Sequence, residues 1–99
     1  MDKDYHIWKS DKPSKKLCVV HHGRKIHFGA TGYSDFTKHK DIERRDRYDA
    51  RHRKTEHWND STTAGFWAKW ILWNKPTIIG SARDTAKRFG IKIRVHLKK

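Results

Sequence analysis

The stretch from Ala64 to Pro76 (AGFWAKWILWNKP) constrains the fold more than any other, because it is the only long apolar run and holds three of the five tryptophans. Its large side chains recur at helical spacing: Phe66, Trp67, Trp70, Ile71 and Trp73. Pro76 ends the helix, since a residue before proline disfavours helical torsions. Each aromatic ring can bury about 150–250 Å². We therefore predict an amphipathic helix, the Trp helix, at the centre of the core; stacking on nucleic-acid bases is the alternative use of its rings.

The formal net charge of +13 limits the class of partner. A surface this basic favours polyanions. Nucleic acid is the first expected partner, with DNA ahead of RNA, and an acidic protein is the second. The excess is largest in residues 59–99, where nine Lys or Arg stand against two acids, a net charge of +7.

A chain of 99 residues predicts one domain over 1–99, with a flexible N-terminus over residues 1–14. No run of 18 apolar residues is present, so we expect no bilayer-spanning segment and no membrane partner. Residues 1–4 lack the pattern of a signal peptide. The single cysteine, Cys18, excludes an internal disulfide. These features favour an intracellular protein.

The N-terminal third predicts β-structure. Lys15 to Phe28 has the pattern of a β-hairpin, with a turn at His22-Gly23 where glycine supplies the positive φ that a two-residue turn needs. Tyr5 to Trp8 alternates briefly and predicts an edge strand. Gly29 to Gly32 indicates a strand-exit turn, with a backbone loop that approaches phosphate as the alternative.

Residues 41–57 predict a helix that is polar nearly all round. Three acid-to-base pairs four residues apart would support it: Asp41–Arg45, Glu43–Arg47 and Asp49–Arg53. Such a helix is either solvated and held by its own ion pairs or lies against a charged partner. Three further arginines of this segment form what we call the helix row: Arg44, Arg47 and Arg51.

The C-terminal segment predicts a helix and then a strand. Ser81 to Asp84 matches a capping box, the helix continues to Phe89, and Gly90 ends it. Apolar residues then alternate with polar ones from residue 91 to 98, which is typical of a half-buried strand. The outward positions form what we call the strand row: Lys92, Arg94, His96 and Lys98.

Together these elements predict an α+β fold. We expect a small antiparallel sheet, made of the N-terminal hairpin and the C-terminal strand, packed against two or three helices. The Trp helix and the helix ending at Phe89 would cover the apolar face of the sheet.

Residue patterns for metal or acid–base chemistry are weak. The chain has eight histidines, yet no helical His-x-x-x-His and no Cys/His pairing occurs. His21, His22 and His27 could meet across the hairpin, which keeps a small metal-dependent nuclease open as the third alternative. The acids Asp35, Asp60 and Asp84 suit capping or turn roles. We expect no cofactor, no metal and no enzymatic activity.

Several segments together resemble a family of small basic proteins encoded by large nucleocytoplasmic DNA viruses of algae and protists. They are Ile26–Gly29, Gly32–Asp41, the pattern Arg44/Arg45, Tyr48, Arg51-His52, Glu56 and Trp58, and Gly65–Pro76. The similarity extends over about residues 15–90. It implies a viral setting within the host nucleus or a cytoplasmic viral factory, with packaging in the virion as a further location. It brings no activity or site residue.

We therefore expect non-enzymatic, largely sequence-independent nucleic-acid binding through phosphate contacts, in viral genome packaging or the replication factory. The alternative is a virion structural protein, a minor capsid or internal component, that binds an acidic viral protein. The expected phosphate-contacting residues are the strand row, the preceding helix end and the helix row: Lys87, Arg88, Lys92, Arg94, His96, Lys98, Arg44, Arg47 and Arg51.

Overall fold

A computed structural model describes residues 4–97. The strands are β1 (Asp4–Lys9), β2 (Lys15–His21), β3 (Arg24–Ala30) and β4 (Lys92–His96). The helices are α1 (Phe36–His39), α2 (Ile42–His52), α3 (Ala64–Trp67), which continues as a π-helical turn over Ala68–Leu72, and α4 (Ile78–Phe89). None of the helices within residues 4–97 has the length and apolar character needed to cross a bilayer.

The four strands form one sheet in the order β3-β2-β1-β4. The α+β class is confirmed, but the sheet is mixed, because β4 runs parallel to β1. A parallel pair needs a long crossover connection, and the helical segments between the hairpin and β4 supply it. The predicted edge position of residues 5–8 is wrong, since β1 pairs with β2 on one side and with β4 on the other. One domain over 1–99 and a flexible segment 1–14 stay predictions.

The hairpin of β2 and β3 is confirmed. His22 and Gly23 both have positive φ, 52° and 75°, as a two-residue turn matched to the twist of the strands requires. Gly29 lies inside β3 with φ +79°, and a Cβ there would come within 2.6 Å of Leu72 Cδ1. Glycine is therefore needed at that position for both its backbone conformation and the close approach of the Trp helix.

The core lies between one face of the sheet and the Trp helix with α4. The buried side chains are Ile7, Leu17, Val19, Phe28, Phe66, Trp67, Ile71, Leu72 and Ala82. The Trp helix supplies four of them, which confirms its structural role. Trp67 is the fully buried tryptophan, whereas Trp70 and Trp73 are only partly buried. In the π-helical turn Trp73 N–H donates to Ala68 O, and residues five apart share a face. Leu72 therefore joins Trp67 in the core.

Asp35 ties α1 to β2. It is only 1% exposed and caps α1 by accepting from Thr37 N–H at 3.0 Å and from the Thr37 hydroxyl. Its other carboxylate oxygen lies 2.7 Å from Lys16 Nζ, which also donates to Tyr33 O. The capping role expected for Asp35 is confirmed, and the buried ion pair is an additional contact.

The start of α4 differs from the predicted capping box. Thr77 caps the helix by accepting from Gly80 N–H at 3.0 Å. Ser81 lies within the helix and is buried, and its hydroxyl accepts from Lys75 N–H at 3.0 Å. The predicted end is confirmed, since Gly90 adopts the left-handed conformation with φ 65°.

Candidate functional site

The strand row lies on β4 as the alternation predicts. Lys92, Arg94 and His96 are exposed, while Ile93 and Val95 are half-buried against the core. Exposed residues two apart in a strand are separated by about 6.6 Å, so these three cover about 13 Å along the sheet edge. Lys98, the last member of the row, lies outside the described residues.

Two residues of β1 extend this surface. In the parallel register His6 lies opposite Arg94 and Trp8 opposite His96. The Trp8 ring is stacked on the His96 ring with centroids 4.0 Å apart and 10° between planes, and His6 Nδ1 lies 2.9 Å from His96 Nε2. Trp8 remains 46% exposed. We call these five residues the sheet surface: Lys92, Arg94, His96, His6 and Trp8.

Sequence reasoning missed His6 and Trp8. The alternation from residue 5 to 8 already places them on one face, opposite Tyr5 and Ile7. The residues around β1 do not indicate that it pairs with a strand more than 80 residues later in the chain. Without that partner, the two side chains could not be assigned to the basic surface.

Lys87 and Arg88 lie on the last turn of α4, on the helix side of the sheet rather than on the strand row. Arg88 Cζ is 4.8 Å from the centroid of the Trp70 ring, and Arg88 Nη2 is 3.4 Å from Asp84 Oδ2. The α4 helix packs against the face that carries Ile93 and Val95. The structure therefore does not join the helix end to the outward side chains of β4.

The helix row is exposed along α2. Across residues 4–97, the guanidinium groups of Arg44, Arg47 and Arg51 form no ion pair or hydrogen bond. One pocket on this side of the molecule is lined by all three side chains. The structure therefore brings the three together as a second cationic surface.

The three predicted ion pairs along α2 are wrong. Asp41 instead caps the helix by accepting from Glu43 N–H and Arg44 N–H. Asp49 accepts from Lys69 Nζ with both carboxylate oxygens at 3.0 Å, which joins α2 to the Trp helix. The helix also ends at His52, five residues earlier than predicted. The helix cap engages Asp41, and a tertiary contact engages Asp49. The helix is largely exposed to solvent, but it is not held by the predicted ion pairs of its own.

The three histidines near the hairpin do not converge: His21 and His22 are in contact, with ring centroids 4.2 Å apart, but His27 does not join them. His21 Nδ1 lies 2.8 Å from Asp4 O, and His27 Nδ1 lies 2.7 Å from Ser10 Oγ. In the part of the chain that the structure describes, no group of three or more His, Cys, Asp or Glu is placed to hold a metal ion. Cys18 is buried, and burial raises the pKa of its thiol, as expected for a structural cysteine.

The fold and its two basic rows define a small α+β protein with a cationic, partly aromatic surface. Residues 5–52 match the sequence model of a family of unknown function, DUF5754. The match extends from β1 to the end of α2 and identifies neither a source nor an activity. No curated protein and no solved structure shows a significant match to the chain.

Proposed function

We propose that this protein binds nucleic acid without catalysis, largely independently of sequence, through the sheet surface. The observation that carries the proposal is the Trp8–His96 stack beside the exposed Arg94 and Lys92. Cations that neutralise phosphates release counterions, which favours binding to any sequence. Aromatic rings stack on bases with little sequence preference, at about 1–3 kcal/mol per base.

The two kinds of contact favour a single-stranded ligand. Bases of a duplex are already stacked on each other, so Trp8 can reach only unpaired bases. The cations of the strand row would contact the backbone of either form. The helix row adds a second cationic face, and Lys87 and Arg88 add charge on the helix side. The competing explanation of the strand row is an edge strand whose charges discourage sheet-to-sheet association.

The setting is part of the proposal and rests on the sequence resemblance alone. We propose a viral protein of the host nucleus or a cytoplasmic viral factory that acts in genome packaging or replication. A virion structural protein that docks an acidic partner would use the same basic surface. A metal-dependent nuclease has no supporting ligand cluster among residues 4–97.

The proposal is tested by titrating single-stranded DNA, single-stranded RNA and duplex DNA against the protein in gel-shift and anisotropy assays. We expect Trp8→Ala to weaken single-strand binding by about 5–150-fold, the loss of one stacked base, and to change duplex binding much less. Ile79→Ala is the matched control, because Ile79 is 48% exposed on α4, away from the sheet surface. It should bind like the wild type.

Three outcomes would contradict the proposal. A wild-type protein that binds no nucleic acid but binds polyglutamate would favour an acidic protein partner. Cleavage of the DNA that a chelator abolishes would favour the nuclease. Unchanged single-strand affinity in Trp8→Ala would remove the stacking contact.

A further inference from the structure

A cleft separates α2 from the open end of the β2–β3 hairpin, opposite the His22-Gly23 turn, and the Trp helix forms its floor. Its volume is about 450 Å³, within the range of about 300–1,000 Å³ that small-molecule sites occupy. Half of its polar side chains come from α2 and the turn that follows it. The side chains that matter here are Lys16, Arg44, Tyr48, Arg51, His52 and Glu56.

The cleft has more positive than negative charge. Lys15, Lys16, Arg44 and Arg51 line it, against two acids. An excess of cations in a concave surface raises the local concentration of anions. The cleft is therefore suited to a ligand with at least two negative charges.

Each acid of the cleft lies next to a residue other than the two arginines. Asp35 is held by Lys16 Nζ and by the first turn of α1. Glu56 Oε1 lies 3.8 Å from His52 Nδ1. The other oxygen of Glu56 packs against Gly65, where any side chain would collide with it. Gly65 is in the first turn of α3, where a negative charge is favoured by the helix dipole.

The two arginines are consequently free for a ligand. Arg44 and Arg51 are exposed and lie seven residues apart on α2, so both face the same side of that helix. A guanidinium group binds phosphate oxygens through two parallel hydrogen bonds. Two such groups on one wall can contact different oxygens of one phosphate.

Tyr48 adds a neutral donor between the two arginines. Its ring is stacked on Trp73 with centroids 4.2 Å apart and 3° between planes, and the His52 ring lies at 4.3 Å with 33° between planes. These contacts fix the tyrosine ring in place. Burial, reinforced by the Glu56 charge, raises the pKa of Tyr48 to about 12. The hydroxyl therefore stays protonated at neutral pH and is able to donate a hydrogen bond.

From this arrangement we propose that the cleft binds a phosphomonoester of nucleotide size, through Arg44, Arg51 and the Tyr48 hydroxyl. The volume exceeds what a phosphate group alone needs and leaves room for a sugar and base beside it. Such a group exists as a free nucleoside monophosphate and as the 5′-phosphorylated end of a nucleic-acid strand. The site is separate from the sheet surface and stands whether or not that surface binds nucleic acid.

Calorimetry with adenosine 5′-monophosphate as the probe tests the site. We expect saturable 1:1 binding and at least about tenfold weaker binding of adenosine, which lacks the charged acceptor. Arg51→Gln should lower the affinity for the monophosphate by about 10- to 100-fold, since it removes charge-assisted hydrogen bonds to the phosphate. Arg53→Gln is the matched control: it removes the same charge at an exposed position that does not line the cleft.

The control should change affinity by less than about twofold, as expected for a screened charge outside the site. The midpoint of thermal unfolding should be unchanged in both variants, because both arginines are exposed. Tyr48→Phe, which keeps the ring stack, should show a smaller loss than Arg51→Gln. Absence of monophosphate binding, equal binding of adenosine, or equal losses in Arg51→Gln and Arg53→Gln would overturn the proposal.

A free nucleotide and the 5′ end of a strand are distinguished in the Trp8→Ala variant, which lacks the stacking contact of the sheet surface. Tighter binding of a 5′-phosphorylated oligonucleotide than of its 5′-hydroxyl form would support a strand end. Equal binding of the two oligonucleotides, together with saturable monophosphate binding, would support a free nucleotide.

Discussion

Trp67→Ala is expected to destabilise the protein by about 3–5 kcal/mol, the usual cost of truncating a large aromatic side chain in a core. The Trp67 side chain is 0% exposed and packs against the rings of Tyr5, Phe28 and Phe66. Its indole N–H donates to Ser61 O at 2.9 Å. The substitution therefore leaves a cavity and also an acceptor without its donor. Urea unfolding followed by circular dichroism measures the loss.

Trp8→Ala is the matched control, because it removes the same side chain from a half-exposed position on the outer face of the sheet. We expect it to cost less than about 1 kcal/mol, as most surface substitutions do. If Trp67→Ala unfolded at the wild-type urea concentration, the core would not depend on the Trp helix. The assignment of this helix to structure rather than to base stacking would then fail.

Asp35→Ala should have an effect of similar size, about 3–5 kcal/mol, because breaking a buried ion pair leaves one charge uncompensated. The Lys16 side chain is 14% exposed, and the Asp35 carboxylate is its partner at 2.7 Å. The same substitution removes the N-cap of α1, which alone is worth about 1 kcal/mol. Thermal and urea unfolding report the combined loss.

Asp35→Asn separates the two contributions. Asparagine keeps a side-chain oxygen that can accept from Thr37 N–H, so the cap is retained while the negative charge is lost. Its stability should lie between those of Asp35→Ala and the wild type. Equal stability of Asp35→Ala and the wild type would show that the ion pair and cap contribute nothing to folding.

The local parts of the fold could be predicted from sequence. Strand alternation on β4, the His22-Gly23 turn and the glycine after α4 each follow from the chemistry of a few neighbouring residues. The Trp helix was predictable for the same reason, since its apolar spacing lies within ten residues. Its π-helical turn was not predictable, because the pattern of apolar residues does not show whether the backbone hydrogen bonds join residues four apart or five apart.

The long-range parts could not be predicted. The parallel pairing of β1 with β4 depends on how α4 returns the chain to the sheet, and no residue of either strand encodes that partner. The same limit explains the acids of α2: Asp49 had a base four residues away, but the Lys69 ammonium was brought closer by packing. Three of the five residues of the sheet surface were predicted, namely Lys92, Arg94 and His96. Trp8 and His6 were missed.

The measurement that tests the central claim most directly is the dependence of nucleic-acid affinity on salt concentration for matched double variants. The strand double is Lys92→Gln with Arg94→Gln, and the control double is Arg53→Gln with Lys54→Gln, which lie at exposed positions after α2. Both lose two positive charges. If the strand row contacts phosphates, the strand double should lower the slope of log affinity against log salt by about 1.4 for single strands, since each contact contributes about 0.7.

A helix double, Arg44→Gln with Arg47→Gln, completes the comparison. Our account predicts the largest loss of slope in the strand double, a smaller one in the helix double and almost none in the control double. The account is contradicted if the salt dependence of the affinity falls in the helix double and stays at the wild-type value in the strand double. In that case the arginines of α2 are the phosphate-contacting surface, and the charges on β4 serve only to protect an edge strand.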